Sequence, residues 1–338
     1  LPDEPPGGGG ALPTNAWLRL PRRIWVQGPG EPSGTNWLVL AEYGLGQSYF
    51  LVGRFRDSER VLDQASARLL KAPEDVPPGT TGQSLLALCQ MMRAVSCSWL
   101  GEFDDAERCS RSAVELAEMG GRPYDLVAAS YGQGVVQIML GNIDEAETEF
   151  GRALRVSRES ETGLFSPPIL TAVGNIHLQR GRAEVAYDVL LEAKQTAERL
   201  GHQTSMVAVS PYLGMALSGL GKSDEGLAVV RAGQASAKQK GYGPTEALAN
   251  LAEASIQSSL GAGAVEEAIA SAQRAIEIAD KLGAVPVKAL ARGVLCRVYL
   301  SSGRTSEARL ELDQAIALFG KVKMTVHLER AKELSQSF

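Results

Sequence analysis

The 338 residues are 44% apolar and 22% charged, with 34 basic against 39 acidic side chains and a net charge of −5. This is globular composition, and without a strongly basic block it lacks the electrostatic footprint of nucleic-acid binding. No apolar run approaches the roughly 18 residues that a spanning helix needs, and no basic stretch followed by an apolar one marks a signal peptide.

Residues 1–36 come first and differ from the rest. They carry seven prolines before residue 36, a GGGG run and no helical periodicity, so they are predicted to be a linker or disordered segment. Trp17, Trp25 and Trp37 lie in or beside this stretch; a short ligand for the chain's own groove is the alternative reading of WLRLPRRIWV, and a flexible segment the favoured one. The first residue is Leu, not Met, which suggests a fragment or a processed chain, so upstream domains have to be considered.

From residue 37 to 320 one skeleton recurs. LGEFDDAERCSRSAV, LGNIDEAETEFGRAL, RGRAEVAYDVLLEAK and SGRTSEARLELDQAI each open on a loop-like glycine. The marker glycines are Gly53, Gly101, Gly141, Gly181, Gly221, Gly263 and Gly303, spaced by 48, 40, 40, 40, 42 and 40 residues. Five places after each comes a small residue: Ser58, Ala106, Ala146, Ala186, Gly226, Ala268 and Ala308. Twelve places after comes another: Ala65, Ala113, Ala153, Ala193, Gly233, Ala275 and Ala315. Seven residues are two helical turns, so both positions share one face, where small side chains admit a close partner. Bulky residues at the ninth place (Leu62, Phe150, Leu190, Val230, Leu312) widen that face.

Acidic residues at the fourth place in six of the seven units, such as Asp105, Glu145 and Glu225, suit the positive end of a helix. A further helix precedes each marker, with a small residue seven places upstream: Gly46, Ala94, Gly134, Gly174, Gly214 and Cys296. Helix, glycine turn, helix, about every 40 residues, is an α-solenoid. The first spacing is longer because of the insertion KAPEDVPPGTTG. The other units exceed the 34 residues of the standard tetratricopeptide repeat through stretches such as MGGRPYD, ERLGHQT and DKLGAVP, where a glycine caps a lengthened second helix. HEAT and armadillo units share the period, but the small–bulky–small order resembles the tetratricopeptide repeat (TPR). Residues 321–338 close the chain with Val326, Leu328, Ala331 and Leu334 at near-helical spacing, as a capping helix requires.

The fold expected is therefore all-α: a right-handed α-solenoid of about seven helix-turn-helix repeats plus a C-terminal capping helix. Two stretches imitate catalytic chemistry. ALSGLGKS at 216–223 approximates a phosphate loop but follows a helical pattern, not a strand. The pairs Asp104–Asp105 and Asp224–Glu225 recur at helix starts as solvated first-turn residues. Cys89, Cys97, Cys109 and Cys296 have no CxxC spacing and are expected to be buried free thiols; His177, His202 and His327 do not pair with them as zinc ligands. No catalytic residue, cofactor or metal is expected, and the chain is expected not to be an enzyme.

The stretches AEYGLGQSYFLVGRFRDSERVL and YLSSGRTSEARLELDQAIALFGKVKMTVHLERAKEL are similar to the C-terminal TPR region of bacterial signalling proteins in which a class III nucleotide cyclase or an AAA/STAND-type ATPase comes first. The resemblance covers residues 39–335 and implies a cytoplasmic, non-catalytic scaffold that serves as a regulatory arm. The alternative is the C-terminal fragment of a multidomain cyclase or ATPase, with a purely structural oligomerisation array as a third reading. In TPR arrays the first helix of each unit lines a concave groove for a partner peptide or protein segment. By register the groove residues are Tyr43, Gln47, Phe50, Met91, Val95, Trp99, Tyr131, Val135, Met139, Thr171, Asn175, Gln179, Met215 and Arg297. A carboxylate-clamp TPR carries Lys and Arg at several of these places along with Asn; Asn175 is the one match, so an acidic C-terminal tail is not the expected ligand.

Overall fold

A computed structural model describes residues 36–74, 76, 80–160 and 163–336. The proline-rich N-terminal segment, with Trp17 and Trp25, lies outside them. The described residues form helices and no strand. They pair in chain order: α1 (Asn36–Leu51) with α2 (Phe55–Lys71), α3 (Gly82–Leu100) with α4 (Phe103–Gly120), and α5 (Pro123–Leu140) with α6 (Ile143–Glu159). Next come α7 (Ser166–Gln179) with α8 (Ala183–Arg199), and α9 (Gln203–Ala208) and α10 (Ser210–Gly219) with α11 (Ser223–Lys240). The last are α12 (Gly243–Ser259) with α13 (Val265–Lys281), α14 (Val285–Ser301) with α15 (Thr305–Lys321), and the closing helix α16 (Thr325–Ser335). No described helix is long and apolar enough to cross a membrane.

The two helices of a unit differ because their surroundings differ. The second helices carry charge on one side and bury only a narrow stripe, in α6 Ala146, Phe150, Ala153 and Ser157. The first helices are apolar nearly all round; α3 buries Leu85 to Cys89 on consecutive positions, since it lies between its partner α4 on one side and the interior on the other.

The small positions form the seam. Ala106, Ala113, Ala146, Ala153, Ala186, Ala268, Ala275, Ala308 and Ala315 are all fully buried. The upstream glycines and the bulky ninth residues turn out to be one contact. A Cβ placed on Gly134 would lie 2.6 Å from Phe150, on Gly174 2.4 Å from Leu190, on Gly46 2.6 Å from Leu62 and on Gly214 2.3 Å from Val230. Each bulky side chain thus rests on bare backbone of the preceding helix. Four of the second helices, α4, α8, α11 and α13, end on left-handed glycines, Gly121, Gly201, Gly241 and Gly283.

Two irregularities bear on the interior. The sixth turn is made by Gly261 at φ 85°, not by the marker Gly263, which lies in a 3-10 turn over Ala262–Ala264. Two extra residues are absorbed there, so α12 is in register with Gly261 and α13 with Gly263. Ala254, seven before Gly261, is the fully buried small residue of that unit. The fifth first-helix breaks at Val209, before Pro211. Proline has no N–H for the Val207 carbonyl, which instead accepts a 2.8 Å hydrogen bond from the Ser210 hydroxyl.

The array curls until its ends meet. α14 packs on α3 and α16 on α5. Leu282 lies over Gly53 and Gly243, Val322 over Gly101, and Lys323 reaches Asp104 at 2.6 Å across 219 residues of sequence. Hydrophobic clusters join Val39, Leu85 and Met91 to Ala279 and Val287, and Phe103 to Cys296 and Phe319. Units of a simple solenoid touch only their neighbours; here the first and last units also share a core, and the capping helix closes onto the third unit as well as covering the stack's end.

Candidate functional site

The inward faces of the first helices enclose a cavity of about 800 Å³. Its wall follows the repeat register. The sixth position before each turn glycine supplies Val95, Val135, Asn175, Met215, Ser255 and Arg297, one residue from each of six consecutive units. Aromatic and aliphatic side chains fill the remainder, among them Phe50, Trp99, Tyr131, Met139, Tyr212, Leu248 and Leu290. Size and apolar lining with a few polar groups match ordinary ligand-binding cavities.

Of the residues that the sequence places in a groove, Phe50, Val95, Trp99, Tyr131, Val135, Met139, Thr171, Asn175, Gln179, Met215 and Arg297 line this cavity. Tyr43, Gln47 and Met91 do not. Met91 is 1% exposed and packs under Gly132. Tyr43 is buried in the first-unit core, where its hydroxyl accepts a 3.0 Å hydrogen bond from the Gln47 side chain.

Several lining aromatics are also structural. Trp99 is only 9% exposed, stacks on Phe55 at 5.2 Å and meets Phe50 edge-on at 6.2 Å. Tyr131 lies 5.7 Å from Phe165 and 6.1 Å from Phe150. Burial pushes the Tyr131 and Tyr212 hydroxyls up to about 12, so both stay neutral hydrogen-bonding groups. Asn175 and Met215 are less committed to packing, being half-buried.

Sequence reasoning assigned no wall residue to the sixth unit, although Leu251, Ser255 and Leu248 line the cavity. The signal was present: counting back from Gly261 rather than Gly263 yields Ser255 and Leu251. It also overlooked the capping helix, from which His327, Arg330, Ala331 and Leu334 face the same space.

Charge in the wall has one sign. Among the described residues, Arg297 and Arg330 line the cavity, together with His202 and His327, and no aspartate or glutamate does. Arg297 retains accessible surface because it faces the open interior, yet enough protein surrounds it that desolvation lowers its pKa. Burial likewise lowers His202, and lowers His327 to about 4 with help from Arg330. A smaller space of about 370 Å³ beside the α5–α6 turn is lined by Asp144, Glu145 and Arg180, and there Arg180 is already paired with Asp144 at 2.5 Å.

The phosphate-loop imitation is a helix-turn-helix. Ala216 to Gly219 end α10, Gly221 makes the turn at φ 79° and Ser223 opens α11. The carboxylate pairs lie in first turns as expected, Asp104 meeting Lys323 and Asp105 meeting Arg108. All four cysteines are buried free thiols, and burial raises the pKa of each.

The sequence matches no protein-family model and no curated protein. Solved structures match over most of the chain. One is a Rap protein complexed with competence and sporulation factor, with TM-score 0.66 and 13% identity over 87% of this chain and 80% of that one. Another is the Rap conjugation gene regulator of plasmid pLS20 in complex with the Phr* peptide, with TM-score 0.65 and 15% identity over 84% and 74%. NprR in complex with its cognate peptide NprX aligns at TM-score 0.62 with 10% identity over 89% and 84%. The fold is a TPR-like helical-repeat array. At these identities the likeness concerns the fold; what this array binds has to be argued from its own interior.

Proposed function

We propose that the chain is a non-catalytic scaffold that takes up a short peptide, or a short segment of a protein, in the cavity enclosed by its first helices. The observation that carries this is the wall itself: six consecutive units each contribute the register-equivalent residue from Val95 to Arg297, interleaved with aromatics. Such a wall offers a repeating row of contacts, which suits an extended chain better than a compact metabolite. A volume of about 800 Å³ limits the occupant to a few residues. Two of the similar structures, the pLS20 Rap regulator with the Phr* peptide and NprR with its cognate peptide NprX, are peptide complexes, which supports the same use here. Its place in a cell is, on this reading, the regulatory arm of a signalling protein, which accords with the resemblance to cyclase- and ATPase-linked TPR regions.

The test is affinity selection of a random hexapeptide library on the full chain, followed by hydrogen-exchange mass spectrometry with the retained pool. Peptides should be retained, and protection should rise in α5, α7, α10, α12 and α14. Retention of nothing, or protection confined to the outer faces of α4, α6 and α8, contradicts the proposal.

A further inference from the structure

Arg297 stands in a wall without carboxylates. It makes no hydrogen bond or ion pair with any described residue, and neither does Arg330 in the same wall, whereas Arg292 on the same helix is paired with Glu311. Arg297 keeps accessible surface but is partly desolvated by the wall around it, and an anion brought by a ligand would recover that loss. The register sharpens the point. At the equivalent place in the other units stand Gln47, Val95, Val135, Asn175, Met215 and Ser255, all uncharged. Only the last unit carries a charge there. A row of uncharged contacts ending in one cation is directional.

Resting on the peptide reading above, we infer that Arg297 is an anion subsite that receives the C-terminal carboxylate of the bound peptide, so that the peptide lies with its C-terminus toward α14 and its apolar residues along Met215, Asn175 and Val135. The terminal carboxylate is the matching anion for two reasons. A cavity of about 800 Å³ holds a few residues, so the end group of a short peptide comes within reach of its wall. The planar guanidinium can also donate two parallel hydrogen bonds to a carboxylate. Asp or Glu side chains as the recurring anion would need a second cation for the peptide's own end; Arg330, the other arginine of the wall and exposed like Arg297, lies on α16 outside the row of register positions.

The experiment uses the full chain and two random hexapeptide libraries that differ only at the C-terminus, free acid or amide, in a competition read by mass spectrometry. Arg297→Gln and Arg297→Lys are run beside the natural protein. Free-acid peptides should be retained about tenfold or more over amides. Arg297→Gln should erase that preference while still retaining peptides, and Arg297→Lys should keep part of it. Circular dichroism melts establish that each variant is folded, and Met215→Leu, which alters the wall without touching charge, should leave the acid-to-amide ratio unchanged. Equal retention of acids and amides by the natural protein overturns the subsite while leaving the peptide reading intact. So does a preference that survives Arg297→Gln, or one that follows internal Asp and Glu rather than the end group. Retention of neither library overturns the peptide reading itself.

Discussion

A glycine opposite a bulky side chain, sixteen residues on, is the smallest element of this architecture. Gly134 and Phe150, Gly174 and Leu190, and Gly46 and Leu62 repeat it. Where the first helix carries alanine, the matched residue shrinks: Ala94 has Ser110, and Ala254, once the two inserted residues are allowed for, has Ala272. Spacing alone made both positions legible, but only the coordinates show that they are two halves of one contact. The fifth unit is the exception in which both helices carry glycine. A Cβ on Gly226 would lie 2.5 Å from the Gly214 carbonyl oxygen, a backbone atom that cannot rotate away. Gly226→Ala restores the residue of most other units and raises helix propensity by about 1 kcal/mol, yet it should lower stability by about 1–3 kcal/mol. A urea titration decides the sign, and stabilisation would show that the helices can part there without cost. Ala146→Leu, at a fully buried seam position, should cost a similar amount, about 1–3 kcal/mol, with an unchanged outer face.

At the scale of helices, periodicity located nearly every element, because each second helix keeps a narrow buried stripe whose spacing survives in the sequence. What it missed depends on geometry that no period carries. The Pro211 break divides α9 from α10, and the 3-10 turn after Gly261 moves α12 two residues relative to α13. The reach of α16 across to α5 is tertiary, so its contribution to the cavity wall could not be read from MTVHLERAKEL. That helix brings a titration with it. His327 stacks on Phe319 at 5.4 Å and lies against Gly141, and burial holds it neutral with a pKa of about 4. The unfolded chain takes up this proton near pH 6.5. Its contribution to stability is therefore complete above that pH and is lost as the pH falls toward 4. Between pH 7 and pH 5 the melting temperature should drop, and His327→Phe, which keeps an apolar ring on Phe319, should drop less. His177 and His202 are lowered in the same direction, so a residual fall is expected. An identical pH profile in the variant would mean that α16 does not bury this ring in solution.

The molecule as a whole is a repeat array closed on itself, and that closure turns a groove into a cavity. The groove residues of the middle units were legible because they recur at a fixed distance from the turn. Tyr43, Gln47 and Met91 obey the same arithmetic but are taken up in packing within the first three units, Tyr43 against Gln47 and Met91 under Gly132, which a one-dimensional register cannot express. Val322 over Gly101 is one of the contacts that close the array, with Val322 7% exposed. Val322→Asp places a charge there without a partner and should open the array, seen as a larger radius of gyration in small-angle scattering at nearly unchanged helix content. An unchanged radius would show that the ends are held elsewhere.

The central claim, that the enclosed interior is the binding site, is tested most directly by filling it. Ser255 is half-buried and lines the wall, whereas Leu310 is 59% exposed and does not line the cavity. Ser255→Trp and Leu310→Trp put the same indole ring in these two places. Fluorescence anisotropy with a labelled hexapeptide retained by the natural protein would measure both, each variant first checked for an intact melt. Ser255→Trp should reduce affinity at least tenfold, with Leu310→Trp indistinguishable from the natural protein. Full affinity in a folded Ser255→Trp variant, or an equal loss in both, would contradict binding inside the array.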